Sequence, residues 1–428
     1  MPTKNDEAWE RYIAAQNLQL DGRVHRIEAE LLKDVSKREP RLMTKFDTPN
    51  QLPEVLKRRN YTILPVSNGE YLLFQGDIFF PLERCKQRRI FQTQIGFPLL
   101  TVGRGIGESE YLDNAFNSGL LADFVQEERL YLTIRGRERT RQFDFRLNSD
   151  SPQIQVNGVQ IESDAGYEGP HDIILVEAKI GTPSDFNIRQ LYYPYRHFSI
   201  IAPKKRIRSL FFLYDLSTAT YTFHEFIFTD TYDFRSIRQI DCQVYTLTEP
   251  QAYRIDELLD MRFATDNQIV PQADDLNKIF ELLTLINRGQ NKPGDIADYF
   301  VFDTRQSNYY GEAAEYLGLI TRATGTFDLT ARGLEFITTE PEQRQLFIAK
   351  LIVNSWIFRA IIDLARTKRS FTNREIDEVI RSAKKEDGTS RYSKSTVTRR
   401  RKTIIAWIRW LAQEFSVFTC KNDEYHLS

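Results

Sequence analysis

Apolar positions recur at helical spacing near the start of the chain. Trp9, Ile13, Leu18, Val24, Ile27 and Leu31 are separated by charged and polar residues. Residues three or four apart share one face of a helix, so the spacing predicts a helix from residue 5 to about 34. The pattern then shortens. Tyr61–Val66 and Tyr71–Phe74 flank Ser67-Asn68-Gly69, a hairpin signal. Phe91–Val102 reads as two strand pieces separated by Gly96 and Pro98. Tyr111, Leu112, Phe116, Leu120, Leu121 and Phe124 predict a helix from Ser109 to about Val125, followed by strands at Leu130–Ile134 and Gln142–Leu147.

The clearest α/β pattern runs from Ile154 to Phe228. Ile154–Val156 and Val159–Ser163 lie either side of Asn157-Gly158, the dipeptide most suited to a tight hairpin. Ile173–Ala178 is almost continuously apolar, as a strand covered on both faces would be. A helix at Asp185–His197 and strands at Ser209–Asp215, Tyr221–Thr229 and Cys242–Leu247 complete the segment. Beyond Pro271 the periodicity is mostly helical. Leu276–Leu285, a short helix from Pro293-Gly294, Thr304–Leu317, a two-stranded turn at Gly325 and a returning ARGLEFI helix follow in the order of a winged helix, which this stretch resembles. A long helix at Gln345–Ala365, a second capped by Thr372 with Glu375 three residues on, and a third starting at Ser393 or Ser395 suggest another such module. The expected organisation is an N-terminal α+β region (1–150) belonging to or packed on a catalytic core (151–270), a winged-helix-like domain (273–340) and a basic helical domain (341–428).

Composition agrees with several packed domains. The chain has 428 residues, 41% of them hydrophobic, with 29 Phe and 20 Tyr. The net charge of -1 neither favours nor excludes nucleic acid. Its distribution is more informative: between Arg366 and Lys402 thirteen Lys and Arg face five Asp and Glu, 13 − 5 = +8. Cys85, Cys242 and Cys420 have no partner at metal or redox spacing and read as free thiols. The five histidines lack zinc spacing as well. The first residues carry no apolar run of a secretory signal, and no stretch is long enough to span a membrane, so a soluble cytoplasmic protein is expected. No G-x-x-x-x-G-K-[ST] run is present, which argues against ATP as a cosubstrate.

Candidate chemistry concentrates in VQIESDAGYEGPHDIILVEAK, residues 159–179. Glu162 and Asp164 lie two apart on one strand and so share a face, as do Glu177 and Lys179 at the end of the apolar strand. Adjacent strands lie about 5 Å apart, close enough for these side chains to converge. Mg²⁺ takes hard oxygen ligands, usually one or two carboxylates with waters and phosphate, and Asp164 and Glu177 can supply them. Lys179 can orient or deprotonate an attacking water and offset charge on a phosphorane. Glu162 and Glu168 are secondary candidates. On the following helix, Gln190 and Tyr193 are three apart and share a face, with Arg189 beside them, whereas Tyr192 and Tyr195 read as core. Asp172 is a rival to Asp164, but five strand steps span about 16 Å, too far to share an ion with Glu177. His171 also lies near in sequence.

Asp164 followed by Glu177-Ala178-Lys179 resembles the PD-(D/E)xK nuclease superfamily. DAGYEG, ILVEAKIG and DFNIRQLYYPYR, within Val159–Arg196, resemble type II restriction endonucleases. The resemblance implies a restriction-endonuclease-like mixed sheet flanked by helices and Mg²⁺-dependent cleavage of double-stranded DNA. It places Asp164 on the metal-binding aspartate, Glu177 on the second acid and Lys179 on the catalytic lysine, and, as in similar nucleases, brings a glutamine of the following helix, Gln190, toward the active site, where Gln190 or Arg189 would contact the cleaved strand. It departs at the Pro-Asp dipeptide, since Ser163 precedes Asp164.

For DNA binding, Arg305, Gln306, Ser307 and Tyr309 fall at the start of the third helix of the first helical module. Lys394, Thr396, Thr398, Arg399 and Arg401 occupy the corresponding place in the second. Lys204, Lys205, Arg206 and Arg208, and Arg84, Lys86, Arg88 and Arg89, are further basic runs. A homodimer is expected at least on DNA, with Trp407 and Trp410 as either core or subunit contact. The competing readings are a structure-specific repair or RNA nuclease, and a DNA-binding regulator with an inactive nuclease-like domain.

Overall fold

The structure, a computed structural model, describes residues 3–85, 87–93, 95–97, 99–103, 105–147, 152–247, 253–264, 269–300, 302–323, 325–383, 391–421 and 423–428. The chain forms two compact units. The first comprises Met1–Leu99, Gly107–Tyr214 and Thr220–Leu247, and the second Leu100–Ile106, Asp215–Ala219 and Thr248–Ser428.

The first unit opens with α1 (Lys4–Ala15), β1 (His25–Glu28), α2 (Ala29–Ser36), α3 (Pro40–Thr44) and α4 (Glu54–Lys57). A capping box between Thr3 and Asp6 starts α1. The single expected helix does not run through. Asn17 at φ 47° and Gly22 at φ 99° turn the chain, conformations that a continuous right-handed helix excludes. Ile27 is buried from a strand instead, in register with Tyr71. The expected hairpin forms from β2 (Tyr61–Ser67) and β3 (Glu70–Gln75), with Gly69 at φ 85° in its turn, and β1 completes a sheet of order β1-β3-β2.

The main sheet follows. Its elements and their flanking pieces are β4 (Phe79–Pro81), β5 (Arg88–Ile90), α5 (Glu108–Asn117), α6 (Leu120–Val125), β6 (Tyr131–Arg139), β7 (Phe143–Phe145), β8 (Ile154–Val156), β9 (Gln160–Glu168), β10 (Asp172–Ile180), β11 (Asp185–Asn187), α7 (Arg189–Ile201), β12 (Arg206–Asp215), β13 (Thr220–Phe228) and β14 (Ile237–Thr246). Seven strands pair in the order β5-β14-β13-β12-β10-β9-β6. β10 is parallel to β12 and antiparallel to β9. Both faces are covered. On one, Tyr111 and Phe116 of α5 stack on Tyr214 and Tyr167 at 3.8 and 4.7 Å. On the other, Leu191, Tyr192 and Tyr193 of α7 share one core with Phe211, Leu213, Trp9, Leu64 and Leu73. The N-terminal α+β region is thus part of this core.

Four details differ from the sequence reading. The helix expected over 185–197 begins only at Arg189, because Asp185–Asn187 forms β11 and pairs with β4. The helix expected over 109–125 divides at Gly119, which adopts φ 89°. No strand forms among the described residues of 91–102. Asn157-Gly158 does turn the chain, but its flanks enter different sheets: β8 pairs with β7, and β9 with β6 and β10. Long-range bonds set that choice, Asn157 N–H donating to Val66 O and Gly158 N–H to Thr140 O.

The second unit contains α8 (Ile255–Leu258), α9 (Leu276–Asn287), α10 (Pro293–Phe300), α11 (Thr304–Tyr316), β15 (Ile320–Ala323), β16 (Thr326–Leu329) and α12 (Ala331–Thr338). Then come α13 (Arg344–Asn354), α14 (Trp356–Lys368), β17 (Ser370–Thr372), α15 (Asn373–Ser382), α16 (Lys394–Phe415), β18 (Phe418–Lys421) and β19 (Glu424–Leu427). α11 lies against the β15–β16 hairpin so closely that a Cβ on Gly311 would stand 2.6 Å from the Phe327 ring. The helix expected over 345–365 breaks at Ser355, with 74° between α13 and α14. The capping box of Thr372 and Glu375 forms as expected. β17-β19-β18 make a small sheet beside α15 and α16. Trp407 is buried near Tyr316 and Phe358, and Trp410 donates its indole N–H to Ser217 O at 2.9 Å. Both are core of this unit. Among the described residues no single helix is long and apolar enough to cross a membrane.

The cysteines correct the sequence reading. Cys85 and Cys242 are bonded as a disulfide with Cα atoms 5.5 Å apart, and only Cys420 is free and exposed. A separation of 157 residues hides this pairing from any spacing rule, because the sheet brings the two together.

Candidate active site

The site begins where the β9–β10 ladder stops. Leu175 pairs with Gly166 and Val176 with Ala165. One step further Glu177 and Asp164 would face each other, on the same side of the sheet. There a side chain replaces the strand: Asp164 Oδ2 accepts the Ala178 N–H at 2.7 Å. The strands part, leaving both carboxylates at the opening.

Lys179, two residues beyond Glu177, completes the cluster. Its ammonium donates to Glu177 Oε1 and to Ala178 O, each at 2.7 Å, and lies 3.5 Å from Glu108 Oε1. Gln190, in the first turn of α7, donates its amide N–H to Glu177 Oε1 at 2.5 Å. A shallow pocket is lined by Glu162, Ser163, Leu175, Val176, Glu177, Gln190, Leu191 and Pro194.

Burial sets the electrostatics. It pushes the Glu177 carboxyl up to about 7, against the pull of Lys179 and with reinforcement from Asp164 and Asp47. Burial likewise raises Asp164 and Glu108, while Lys179 opposes both shifts. For Lys179 burial acts downward, but Glu177, Glu108 and Asp164 outweigh it and hold the amine above its ordinary value. Lys179 is therefore an ammonium, suited to orienting and neutralising rather than accepting a proton. Several partly buried carboxylates around a single ammonium are undercompensated, and a hard divalent cation would relieve them. The donors are all oxygen, which fits Mg²⁺ better than a thiophilic metal.

Of the residues singled out from the sequence, Asp164, Glu177, Lys179 and Gln190 come together. Glu162 lies near enough to raise Asp164, but its own carboxylate turns to Arg137 at 3.3 Å on the surface. Glu168 is at the other end of the strands, where Ile173 is its partner and Lys205 holds it at 2.5 Å. Asp172 is also remote, bound to Arg206 at 2.7 and 2.8 Å. His171 sits beside it rather than at the site, its carbonyl accepting from Arg206 N–H. The basic run 204–208 thus largely serves internal ion pairs: Arg208 forks onto Glu225 with two contacts of 2.6 Å.

Two groups were missed. Glu108 stands at the first position of α5, and Asp47 belongs to the N-terminal region. An acid opening a helix was a legible signal for Glu108, though it read equally as a favourable helix start. Nothing in the pattern around Asp47 pointed 130 residues ahead.

In the second unit, Asp303 caps α11, and Arg305 and Gln306 are exposed beyond it. The Arg305 guanidinium lies 5.5 Å from the centre of the half-buried Tyr309 ring. Ser307 is buried, its hydroxyl donating to Pro293 O at 2.7 Å, so it ties α10 to α11. Ser393 caps α16, and Lys394, Thr398, Arg399 and Lys402 are exposed. Thr396 is half-buried against Ser393. Arg401 is turned to Asp377 at 2.8 Å, and Arg400 is buried over Tyr392. Residues 384–390, and with them Lys384 and Lys385 of the basic stretch, lie outside the described residues, as does Lys86 of the earlier run. Arg89 of that run pairs with Asp123 at 2.9 Å.

Three family profiles match successive parts of the chain, each described as a domain of unknown function: DUF6996 over 6–73, DUF6997 over 74–246 and DUF7226 over 278–416. The second spans the whole acid–lysine cluster except Asp47, and the third most of both helical modules, ending before β18. No curated protein and no solved structure matches the chain.

Proposed function

We propose that this chain is a Mg²⁺-dependent endonuclease that hydrolyses phosphodiester bonds of double-stranded DNA at a specific sequence. The observation that carries this reading is the substitution of Asp164 for the ladder beside Glu177, with the Lys179 ammonium held among the carboxylates. The mixed sheet with helices on both faces is the setting that the resemblance to restriction endonucleases implies.

Asp164 and Glu177 would hold Mg²⁺, with Glu108 as an outer partner beside Lys179, and the ion's chemistry is to polarise the scissile phosphate and acidify a water. Gln190 fixes the Glu177 carboxylate through one oxygen. Lys179 orients the attacking water and offsets charge on the phosphorane oxygens. The attacking water releases one proton to bulk solvent as its oxygen bonds to phosphorus, one P–O ester bond breaks, and the leaving oxygen takes a proton from solvent.

Both helical modules follow a winged-helix order, and the third helix of each begins with exposed polar or cationic side chains. Arg305 and Gln306 on α11, and Lys394, Thr398 and Arg399 on α16, would contact the duplex, phosphates giving affinity and base edges specificity. That favours duplex DNA over a folded RNA. A two-fold homodimer on DNA would give each antiparallel strand its own centre.

The test is to incubate the purified chain and Mg²⁺ with unmodified and methylated genomic DNA and to sequence the fragment ends. A recurring sequence at the ends is expected. Intact DNA in both samples contradicts the reading, and ends without a common sequence would favour a structure-specific nuclease.

A further inference from the structure

We propose that β6, an outer edge of the main sheet, is a track for the sugar–phosphate backbone of the DNA beside the cleaved bond, with Arg137, Arg139 and Arg141 as its phosphate contacts. The inference rests on the nuclease reading above for its substrate, and it adds a surface outside both helical modules. β6 ends the sheet and pairs only with β9. Seven of its nine residues are exposed, so no described part of the chain covers that edge. Between Tyr131 and Arg141 four arginines meet one glutamate, 4 − 1 = +3, in a chain whose net charge is -1.

The register ties this edge to the acid–lysine cluster. Gly136 is opposite Ser163 and Arg137 opposite Glu162, so β6 runs alongside the two residues that precede Asp164. One strand spacing across and two residues along put the backbones of Arg137 and Asp164 about 8 Å apart. An arginine side chain from there reaches phosphates that flank the scissile one. Arg139 lies two residues on and shares a face with Arg137, and Arg141 lies two further, just past the strand, each step spanning about 7 Å. Each DNA strand carries one phosphate per about 3.4 Å of axis, so the three guanidinium groups are spaced to meet a short run of one backbone. Gly136 leaves room at the start of the track. A Cβ there would meet nothing within 4 Å, and its φ of 93° disfavours any residue that would fill the space.

The three cations are available to a ligand. Arg135, by contrast, is engaged, its guanidinium forked onto Asp113 of α5. Arg137 faces Glu162 at 3.3 Å, but the two side chains are 55% and 48% exposed, and a pair so exposed holds weakly enough for a phosphate to replace the carboxylate. Arg139 donates to Gly158 O at 3.0 Å, a neutral acceptor that leaves its charge uncompensated. Arg141 is exposed, and among the described residues its guanidinium meets no acid. Glu138, the one acid of the stretch, is taken up by His197 of α7 at 3.0 Å. Charge on an open edge also blocks pairing with another sheet, and a guard of that kind works with either sign. Phosphate contact requires the positive sign, which separates the two roles.

The experiment measures binding of a fluorescent mixed-sequence duplex by the full chain, in Ca²⁺ so that the DNA stays intact, at several salt concentrations. Arg139→Gln with Arg141→Gln should weaken binding on the order of tenfold and lower the log–log salt slope by roughly 1.8, or 0.9 for each lost phosphate contact. Arg139→Lys with Arg141→Lys should keep the slope. Arg139→Glu with Arg141→Glu should weaken binding further, while light scattering finds the particle size unchanged because an acidic edge is still guarded. Arg58→Gln, at an exposed arginine of α4 paired with Glu54, should leave binding as it was. Circular dichroism identifies a double variant that fails to fold, and the other then decides. A folded Arg139→Glu/Arg141→Glu chain with the affinity and slope of the unaltered chain overturns the inference, as does an unaltered chain that binds no duplex. Incubation with Mg²⁺ separates it from the nuclease reading. DNA bound through β6 but left uncut contradicts only that reading, and DNA bound equally and cut by the Arg139→Glu/Arg141→Glu chain contradicts only the track.

Discussion

Glu177 and Lys179 point the same way from one strand, and each alters what the other can do. Lys179 remains charged because carboxylates surround it, and Glu177 keeps a carboxyl near neutrality because burial outweighs Lys179. Asp164→Ala, Glu177→Ala and Lys179→Ala should each abolish cleavage in a gel assay while DNA binding by mobility shift persists. Asp172→Ala should keep cleavage, since that side chain pairs with Arg206 at the opposite end of β10. Glu108→Gln should retain folding and lower the single-turnover rate by on the order of 10–100-fold, the usual scale for an outer partner of a metal site. A rate equal to that of the unaltered chain would remove Glu108 from the site.

The same residues set a pH dependence. The folded pKa of Glu177 lies above its ordinary value of 4.5, at about 7. In the metal-free chain its contribution to stability is fully present below the unfolded value and is lost as pH rises through the folded one. Mg²⁺ requires the carboxylate and competes with that proton. Metal affinity should therefore climb as pH passes from 6 to 8, with proton release on binding, as calorimetry in buffers of different ionisation enthalpy would show. Affinity independent of pH over that range would mean that Glu177 is not a ligand.

At the scale of elements, β10 carries the site because it is covered on both faces and open at one end. Its other end is closed by ion pairs: Arg208 binds Glu225 in a fork, lies 3.7 Å from Asp172 and donates to Val125 O. Arg208→Met would strand Glu225, whose side chain is only 8% exposed, while Asp172 keeps Arg206, so urea denaturation should show a loss of about 3–5 kcal/mol, the range for breaking a buried pair. A change below about 0.5 kcal/mol, ordinary for a surface substitution, would contradict that role.

What could be read from the sequence followed local rules. IILVEAK announced a buried strand with a charged end, and Thr372 with Glu375 announced a helix start. Alternation along β9 and β10 was enough to set Asp164 beside Glu177. Helix breaks at Asn17, Gly119 and Ser355 were missed locally, and the losses in strand, cysteine and ion pairing were non-local. Asn157-Gly158 specifies a turn but not which strand each flank will join, and bonds to Val66 and Thr140 decide that. Cys85 and Cys242 meet only after β14 has found the sheet edge. Arg206 and Arg208 read as a basic patch because their acidic partners, Asp172 and Glu225, lie 34 and 17 residues away.

At the scale of the molecule, a chain of net charge -1 would bind DNA through local cationic surfaces. Lys394, Arg399 and Lys402 are exposed on α16, whereas Arg400 and Arg401 are engaged within the unit. Replacing those three with Gln should weaken DNA binding and flatten its salt dependence by roughly 0.9 in the log–log slope per lost phosphate contact. An unchanged slope would shift DNA binding to α11. Trp407 and Trp410 are core, so a dimer, if formed on DNA, would use another surface. Sedimentation with a cognate duplex, using Ca²⁺ in place of Mg²⁺, should find two chains per duplex; one chain per duplex that still makes double-strand breaks would indicate sequential nicking.

The central claim is that the acid–lysine cluster hydrolyses DNA with a divalent cation. The most direct measurement is single-turnover cleavage of a mixed plasmid library by the folded, purified chain, with Mg²⁺ or with chelator, beside Glu177→Ala and Lys179→Met prepared identically. Cleavage should appear only with Mg²⁺ and only with the unaltered chain. Cleavage that persists in chelator or in both variants, or its absence from the unaltered chain across the whole library, would contradict the claim.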